Sequence, residues 1–341
     1  MNKTETTMKY FYRVILATSL LVLAFVGVSY YLLFTPFATH SGDPVIYVDR
    51  NDTKDSVLNK IVEINPQKHL GVTLGYKLLD IPPRMGKYRI KNTLTGFDIL
   101  RMFRNGQQEP VNLVITPTWT IEIMASRISS QLMIDSAEIM TCLLDTATLT
   151  NLKCTVETLP AYFIPNTYEV YWTISPQQLV QRMKREYHKF WTSERREKAS
   201  LIGLSQHEVS TLASIVCRET NFVPEMSTIA GLYLNRRKRN MPLQACPTVI
   251  FARKDFSIRR LTNPTEPDNP YNTYRYLGFP PGPIFLAPIA AIDAVLNAEK
   301  HDYIYMCAKE DFSGAHNFAT TLTQHQQNAR KYRTAFKKRY K

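Results

Sequence analysis

One carboxylate, Glu219, sits where the spacing of its neighbours could make it a general acid. Ser205-x-x-Glu208 is a capping-box start, and apolar residues recur at Val209, Leu212, Ala213 and Val216. Continuing that rhythm carries Glu219 and Thr220 onto the buried face of the predicted helix. A carboxyl held against apolar surface loses hydration, so its neutral form is favoured and its pKa rises. Such a group donates a proton near neutral pH. A plainer reading stays open on spacing alone: Glu219 is solvated, or it pairs with Arg218 or Arg236.

The elements around this helix must position the carboxyl. A second helix is expected from near Pro224 to near Asn240. The chain then turns rich in Pro, Asn and Tyr at 262–272 and 278–283, loop composition that can line a substrate cleft. Upstream, helices are expected at 120–132, 136–146 and 177–191, with a loop at 162–169. A smaller α+β module precedes them: strands at 45–48, 86–90 and 111–115, and helices at 55–64 and 95–104, the last closed by Asn105-Gly106. It carries no catalytic cluster and reads as a spacer or binding module.

The first residues bound the location. Lys3, Lys9 and Arg13 precede an uncharged run at 14–34. At about 1.5 Å per residue the run can cross a hydrocarbon core of about 30 Å. The flanking cations place residues 1–13 in the cytoplasm and everything beyond the short tether at 35–43 outside the inner membrane. A cleaved signal peptide is the competing reading, but the run is long for one and no small-x-small site follows. Lys and Arg number 42 against 29 Asp and Glu, a net charge of +13 that suits an anionic partner. An extracytoplasmic body turns that charge toward phospholipid or cell wall and excludes nucleic acid. Five cysteines and seven histidines follow no metal-ligand spacing, and no glycine-rich phosphate loop appears, so neither metal nor cofactor is expected.

Several segments together resemble a known family, the membrane-anchored endolytic murein transglycosylases of MltG or YceG type. They are PNTYE at 165–169, ASIVCRET at 213–220, Asn235-Arg236, LQACPTV at 243–249, PYNTY at 270–274, GFPPGPI at 278–284, and His316-Asn-Phe with His325. The YMCAKEDFSG segment at 305–314 looks like the Bacteroidetes branch. The resemblance implies an α+β chain with a single N-terminal transmembrane helix at 14–34, a LysM-like module at 44–117 and a mixed α/β catalytic domain at 118–341. It implies cleavage of the MurNAc–GlcNAc bond of nascent peptidoglycan strands, with peptidoglycan synthases as partners. The family's catalytic glutamate, the second acid of E-x-E-T, falls on Glu219. The first acid of that motif is replaced by Cys217, and the Asp of L-Q-x-D-P-T by Cys246. These replacements raise the idea of a Cys217–Cys246 disulfide, beside the plainer one of two inert thiols.

Hydrolytic glycosidases generally need two carboxylates, and Asp268, Asp293 and Glu169 are available only as loop groups. A lytic transglycosylase works with one, because the C6 hydroxyl of the muramic sugar is the nucleophile. Gln244, Thr248, Tyr271, Asn272 and Tyr274 are the expected sugar contacts. Asn235 and Arg236 are expected to join the two helices to the following loop, and His316 and His325 to hydrogen-bond in the core. Three alternatives stay open: a muramidase using water, a non-catalytic scaffold of the elongation or division machinery, and a tethered wall-binding module.

Overall fold

The computed structural model describes residues 3–37, 42–258 and 262–340. The chain divides into two compact units, Met1–Val111 with Glu169–Thr173, and Asn112–Tyr168 with Ile174–Lys341.

The first unit begins with α1 (Lys3–Phe34), whose stretch Thr7–Phe34 holds an 18-residue run of mean hydropathy 2.1 and is long and apolar enough to cross a membrane. No other helix among the described residues meets that description. The expected span at 14–34 falls within it; of the expected tether at 35–43, residues 38–41 lie outside the described residues. Then come β1 (Val45–Val48), α2 (Lys54–Ile64), α3 (His69–Leu78), β2 (Gly86–Arg89) and α4 (Gly96–Asn105). Strands β1 and β2 pair antiparallel, Val45 opposite Arg89 and Val48 opposite Gly86. Thr53 with Ser56 and Thr95 with Asp98 close capping boxes on α2 and α4, satisfying amides that the helix itself leaves unpaired. Gly106, at φ 64°, ends α4 in the left-handed region that glycine tolerates. Tyr76, Tyr88, Ile99 and Phe103 fill the core. Helix α3 was not expected, for it has two glycines and no side-chain cap; burial of Val72 and Tyr76 outweighs its weak propensity.

Strands β3 (Pro110–Ile115) and β4 (Asn166–Tyr171) run through the division between the units. β4 corrects the expected loop at 162–169. Its side chains alternate, with Tyr168 and Val170 buried between exposed Thr167, Glu169 and Tyr171, which is the period-two pattern of a half-buried strand.

The second unit is mainly helical: α5 (Ile121–Ser129), α6 (Ser136–Leu144), α7 (Thr146–Leu152), α8 (Pro176–Phe190), α9 (Ser193–Leu201), α10 (Gln206–Glu219), α11 (Met226–Lys238), α12 (Cys246–Arg253) and α13 (Ile289–Leu296). The hairpin of β5 (Tyr305–Ala308) and β6 (His316–Ala319), with Ala308 opposite His316, and α14 (Leu322–Arg339) complete it. Helix α10 starts on the Ser205/Glu208 capping box. It is not the one-faced helix its apolar rhythm suggests, since every residue from Val209 to Cys217 is buried. Its polar side chains make this possible by bonding the chain itself: Ser210 Oγ donates to Gln206 O at 3.0 Å and Ser214 Oγ to Thr211 O at 2.6 Å. Ser214 Oγ in turn accepts the Ile284 amide at 3.0 Å, which ties the proline-rich segment at 278–284 to α10.

Helix α11 packs closely against the segment before β5. A Cβ at Gly231 would fall 2.3 Å from Glu299 O and 2.8 Å from His301 Nε2. Alanine at a helix interior otherwise gains about 1 kcal/mol over glycine. Here overpacking against a backbone oxygen costs more, about 1–3 kcal/mol and occasionally beyond. Gly231→Ala is therefore expected to lower the thermal midpoint of unfolding, and a midpoint at or above that of the unaltered chain would refute this close packing.

Candidate active site

Glu219 ends α10, and Thr220 caps the helix with its amide bonded to Val216 O at 3.2 Å. Arg218 and Arg236, the alternative partners of Glu219, are engaged elsewhere. The Arg218 guanidinium lies 4.3 Å from the Trp119 ring centre and 4.9 Å from that of Phe285. Arg236 is buried and donates to Pro242 O at 2.9 Å, Ile304 O at 2.9 Å and Gln244 Oε1 at 2.5 Å. The hydrogen bond that Glu219 does form comes from α11, where the buried Tyr233 donates from Oη to Glu219 Oε1 at 2.8 Å.

Part of the Glu219 side chain is open to solvent, yet packed protein walls its carboxyl. Loss of hydration is the largest influence and lifts its pKa above the usual carboxylate range. The Tyr233 hydrogen bond and the nearby charge of His316 pull it part of the way back. His316 is itself held: Glu225 Oε1 accepts its amide at 2.9 Å, and Glu225 Oε2 lies 3.0 Å from Nδ1.

The expected sugar contacts divide into two kinds. Tyr274 is half-buried, its Oη lies 3.2 Å from Cys246 Sγ, and both groups feel the Glu219 charge. Gln244 is exposed, held in a left-handed conformation (φ 54°) and bonded to Arg236. Tyr271 stands apart from that group: its ring lies 4.7 Å from that of Phe251, and burial pushes its hydroxyl up to about 12. Thr248 and Asn272, by contrast, are fully buried and have no polar atom to offer a sugar. Thr248 Oγ1 donates to Ala245 O at 2.7 Å and lies 2.8 Å from Thr273 Oγ1. Asn272 donates to Pro264 O and Pro267 O at 3.1 and 2.9 Å and accepts the Tyr274 amide at 3.0 Å. Through these bonds both set the shape of the loop carrying Tyr274.

The remaining expectations resolve similarly. Cys217 and Cys246 are free thiols: Cys217, buried in α10, lies 3.5 Å from Ser214 O, while Cys246 opens α12 beside Tyr274. Asn235 does join its helix to the next segment, donating to His301 O at 2.6 Å and Tyr303 O at 3.1 Å. His325 stacks on Tyr305 at 5.3 Å, but its buried Nδ1 finds no hydrogen-bond partner, so the expected core hydrogen bond does not form at that atom. Asp293 is paired with Arg195 at 3.0 Å, Asp268 with Arg275 at 3.4 Å, and Glu169 belongs to the other unit. The sequence reading missed Tyr233 and Glu225. Tyr233 lies 14 positions beyond Glu219 on a different helix, and no local spacing announces that approach.

Two outcomes follow from these contacts. Removing the Arg236 side chain strands two carbonyl acceptors and Gln244, so Arg236→Ala is expected to cost about 2–4 kcal/mol in denaturant unfolding; a loss under about 0.5 kcal/mol, the scatter of ordinary surface substitutions, would refute its role as the tie between α11 and the loop. The raised pKa of Glu219 means that the folded chain binds its proton more tightly than the unfolded chain does. Its destabilising effect is absent below the unfolded value near 4.5, develops as pH rises toward the folded value, and is complete above it. Glu219→Gln is therefore expected to stabilise the fold at neutral pH and to lose that advantage in acid, as read by unfolding at a series of pH values; a gain that is the same at every pH would contradict the shift.

The chain is similar to proteins of known family. The model of the YceG-like family matches residues 46–331. The endolytic murein transglycosylase of Bacillus subtilis (strain 168) is 38% identical over 129 residues, which are 38% of this chain and 35% of that protein. The endolytic murein transglycosylase of Streptococcus pneumoniae (strain ATCC BAA-255 / R6) is 25% identical over 280 residues, 72% of this chain and 50% of that protein. The chain thus spans half or less of the length of these curated relatives. A crystal structure of a yceG-like protein from Listeria monocytogenes superposes with a TM-score of 0.57 at 23% identity, covering 84% of this chain and 98% of that one, and shares the fold. With the family match running from residue 46 to 331, well over half of the 341 residues, the chain belongs to the YceG-like family.

Proposed function

We propose that the chain is an endolytic peptidoglycan transglycosylase that cuts nascent glycan strands between N-acetylmuramic acid and N-acetylglucosamine, and so ends their elongation. One observation carries this reading: Glu219 is a carboxyl lifted out of the usual range by desolvation, with Oε1 engaged by Tyr233 and, among the described residues, no cation paired to it. Murein transglycosylase is the activity named for the relatives in Bacillus and Streptococcus, which supports the substrate class.

Protonated Glu219 gives its proton to the bridging oxygen as the bond from that oxygen to the anomeric carbon breaks. The resulting carboxylate takes the proton of the C6 hydroxyl, whose oxygen closes on the anomeric carbon. The product is a 1,6-anhydro end, the acid is regenerated, and no water is consumed. Proximity favours this route, since the nucleophile is part of the sugar already bound. Glu225, the other carboxylate linked to the site, is committed to His316, which disfavours a second carboxylate activating water. Tyr274, Gln244 and Tyr271 offer ring faces and polar atoms for the sugars; Thr248 and Asn272 act through the loop they hold.

In this reading α1 is an uncleaved single-pass anchor in the inner membrane, with residues 1–13 cytoplasmic and the remainder periplasmic. Residues 44–117 form a LysM-like module that meets the wall, residues 118–341 form the catalytic domain, and synthases of the elongation or division machinery are its partners. The activity needs no cofactor.

A digest of purified glycan strands tests the proposal. The unaltered chain is expected to leave ends lighter by one water than hydrolysed ends, and Glu219→Gln to leave the strands intact while remaining folded. Ends of hydrolysed mass would assign a muramidase instead, and strands left uncut by the unaltered chain would favour a scaffold.

A further inference from the structure

The Tyr233–Glu219 contact carries a role beyond the acid itself. The Tyr233 ring is buried in α11, and its hydroxyl reaches Glu219 Oε1 at 2.8 Å. A phenol has one hydrogen to donate and stays a donor while it is protonated. Tyr233 remains protonated throughout the range in which the carboxyl titrates, because burial and the Glu219 charge both push its own pKa well above the ordinary value. The carbonyl oxygen of a neutral acid is a stronger acceptor than its hydroxyl oxygen, so a hydrogen bond donated to Oε1 favours the mobile proton on the other oxygen.

We propose that Tyr233 is the positioning residue of the acid, holding Oε1 as an acceptor so that Oε2 alone carries and delivers the proton. This rests on the reading of Glu219 as the general acid. The same bond acts differentially along the reaction. It is a neutral hydrogen bond while Glu219 is protonated and becomes charge-assisted, hence stronger, once the proton has left. The hydroxyl therefore stabilises the state toward which proton transfer runs more than the state it leaves, which is the requirement for lowering a barrier.

The groups facing Glu219 from other elements do not duplicate this role. His316 on β6 is steered by Glu225, and its charge acts on the carboxyl without a hydrogen bond to it. Cys246 on α12 and Tyr274 in the following loop bond one another. Arg218 is stacked on Trp119, and Arg236 acts on Tyr233 rather than on the carboxyl.

Tyr233→Phe keeps the ring and removes the donor. On the full chain in detergent, two quantities are read: the pH profile of kcat and KM on glycan strands, and the titration of the Glu219 carboxyl by carbon-13 NMR. Loss of a bond that favours the charged form raises the Glu219 pKa. The carboxyl midpoint and the alkaline limb of the profile are both expected to move upward. In parallel, kcat is expected to fall about tenfold to hundredfold, the worth of one hydrogen bond to a charged group, with KM within about twofold. Replacing Tyr233 with 3-fluorotyrosine keeps the shape and strengthens the donor, so the midpoint is expected to move downward; this arm stands even if the phenylalanine variant fails to fold. A midpoint indifferent to both replacements would overturn the assignment, as would a fall in kcat with an unmoved alkaline limb, the signature of a merely structural ring. If the unaltered chain cuts no glycan while the midpoint still shifts, the enzymatic reading fails and the Tyr233–Glu219 pairing survives.

Discussion

The site depends on keeping one carboxyl poorly hydrated at the end of a helix that is buried from Val209 to Cys217. That condition propagates outward. A helix buried from Val209 to Cys217 can carry hydroxyl side chains only if each finds a partner, since an unpaired buried polar group costs about 1–3 kcal/mol. Ser210 and Ser214 meet the requirement by bonding carbonyls one turn back, and Ser214 also holds Ile284. The polar residues of α10 thus serve burial, and burial sets the chemistry of Glu219.

The loops beside the acid are held by buried side chains rather than by regular secondary structure. Thr248 and Thr273 bond one another across two segments, and the amides of Gln244 and Ala245 bond the Thr273 carbonyl and hydroxyl at 3.1 and 3.0 Å. Arg236 adds a third tie through Gln244 and Pro242. Such a frame places Tyr274 and Cys246 beside the carboxyl with little freedom to drift. The proline- and asparagine-rich composition follows: these positions need fixed turns and side-chain amides to bond the backbone, and an extended ladder would leave the tyrosines facing the wrong way.

Sequence made the placement of Glu219 more legible than the surrounding architecture. The Ser205/Glu208 capping box and the apolar rhythm after it located α10 and its terminal acid, because both signals are local. The same held for α4, with its box at Thr95 and its glycine at 106. Helices α7 and α9 escaped notice because each buries one residue, Leu152 and Ala199, and so shows no apolar stripe, and α12 and α13 because neither opens on a side-chain cap. α14 escaped because it buries no residue and so has no apolar face. The burial of Thr248 and Asn272 was not legible for one reason: a polar residue beside an acid looks the same in sequence whether its hydroxyl or amide faces a ligand or the inside of a turn. Tyr233 and Glu225 were invisible because their partners lie on other elements.

The two cysteines decide how the acid is tuned in this chain. An ionised neighbour would repel a charged Glu219 and raise its pKa further. Here burial lifts the Cys217 thiol to about 12 and raises that of Cys246 as well, so both are neutral at neutral pH. Neither contributes repulsion. Desolvation must therefore supply the upward shift alone, against the Tyr233 hydrogen bond and the charge of His316, which both favour ionisation. A shift that rests on burial alone is sensitive to packing: any change that lets water reach the carboxyl lowers its pKa with no like charge left to hold it up. The self-bonded hydroxyls of α10, which let that helix stay buried up to Cys217, therefore serve the shift of the acid that ends it.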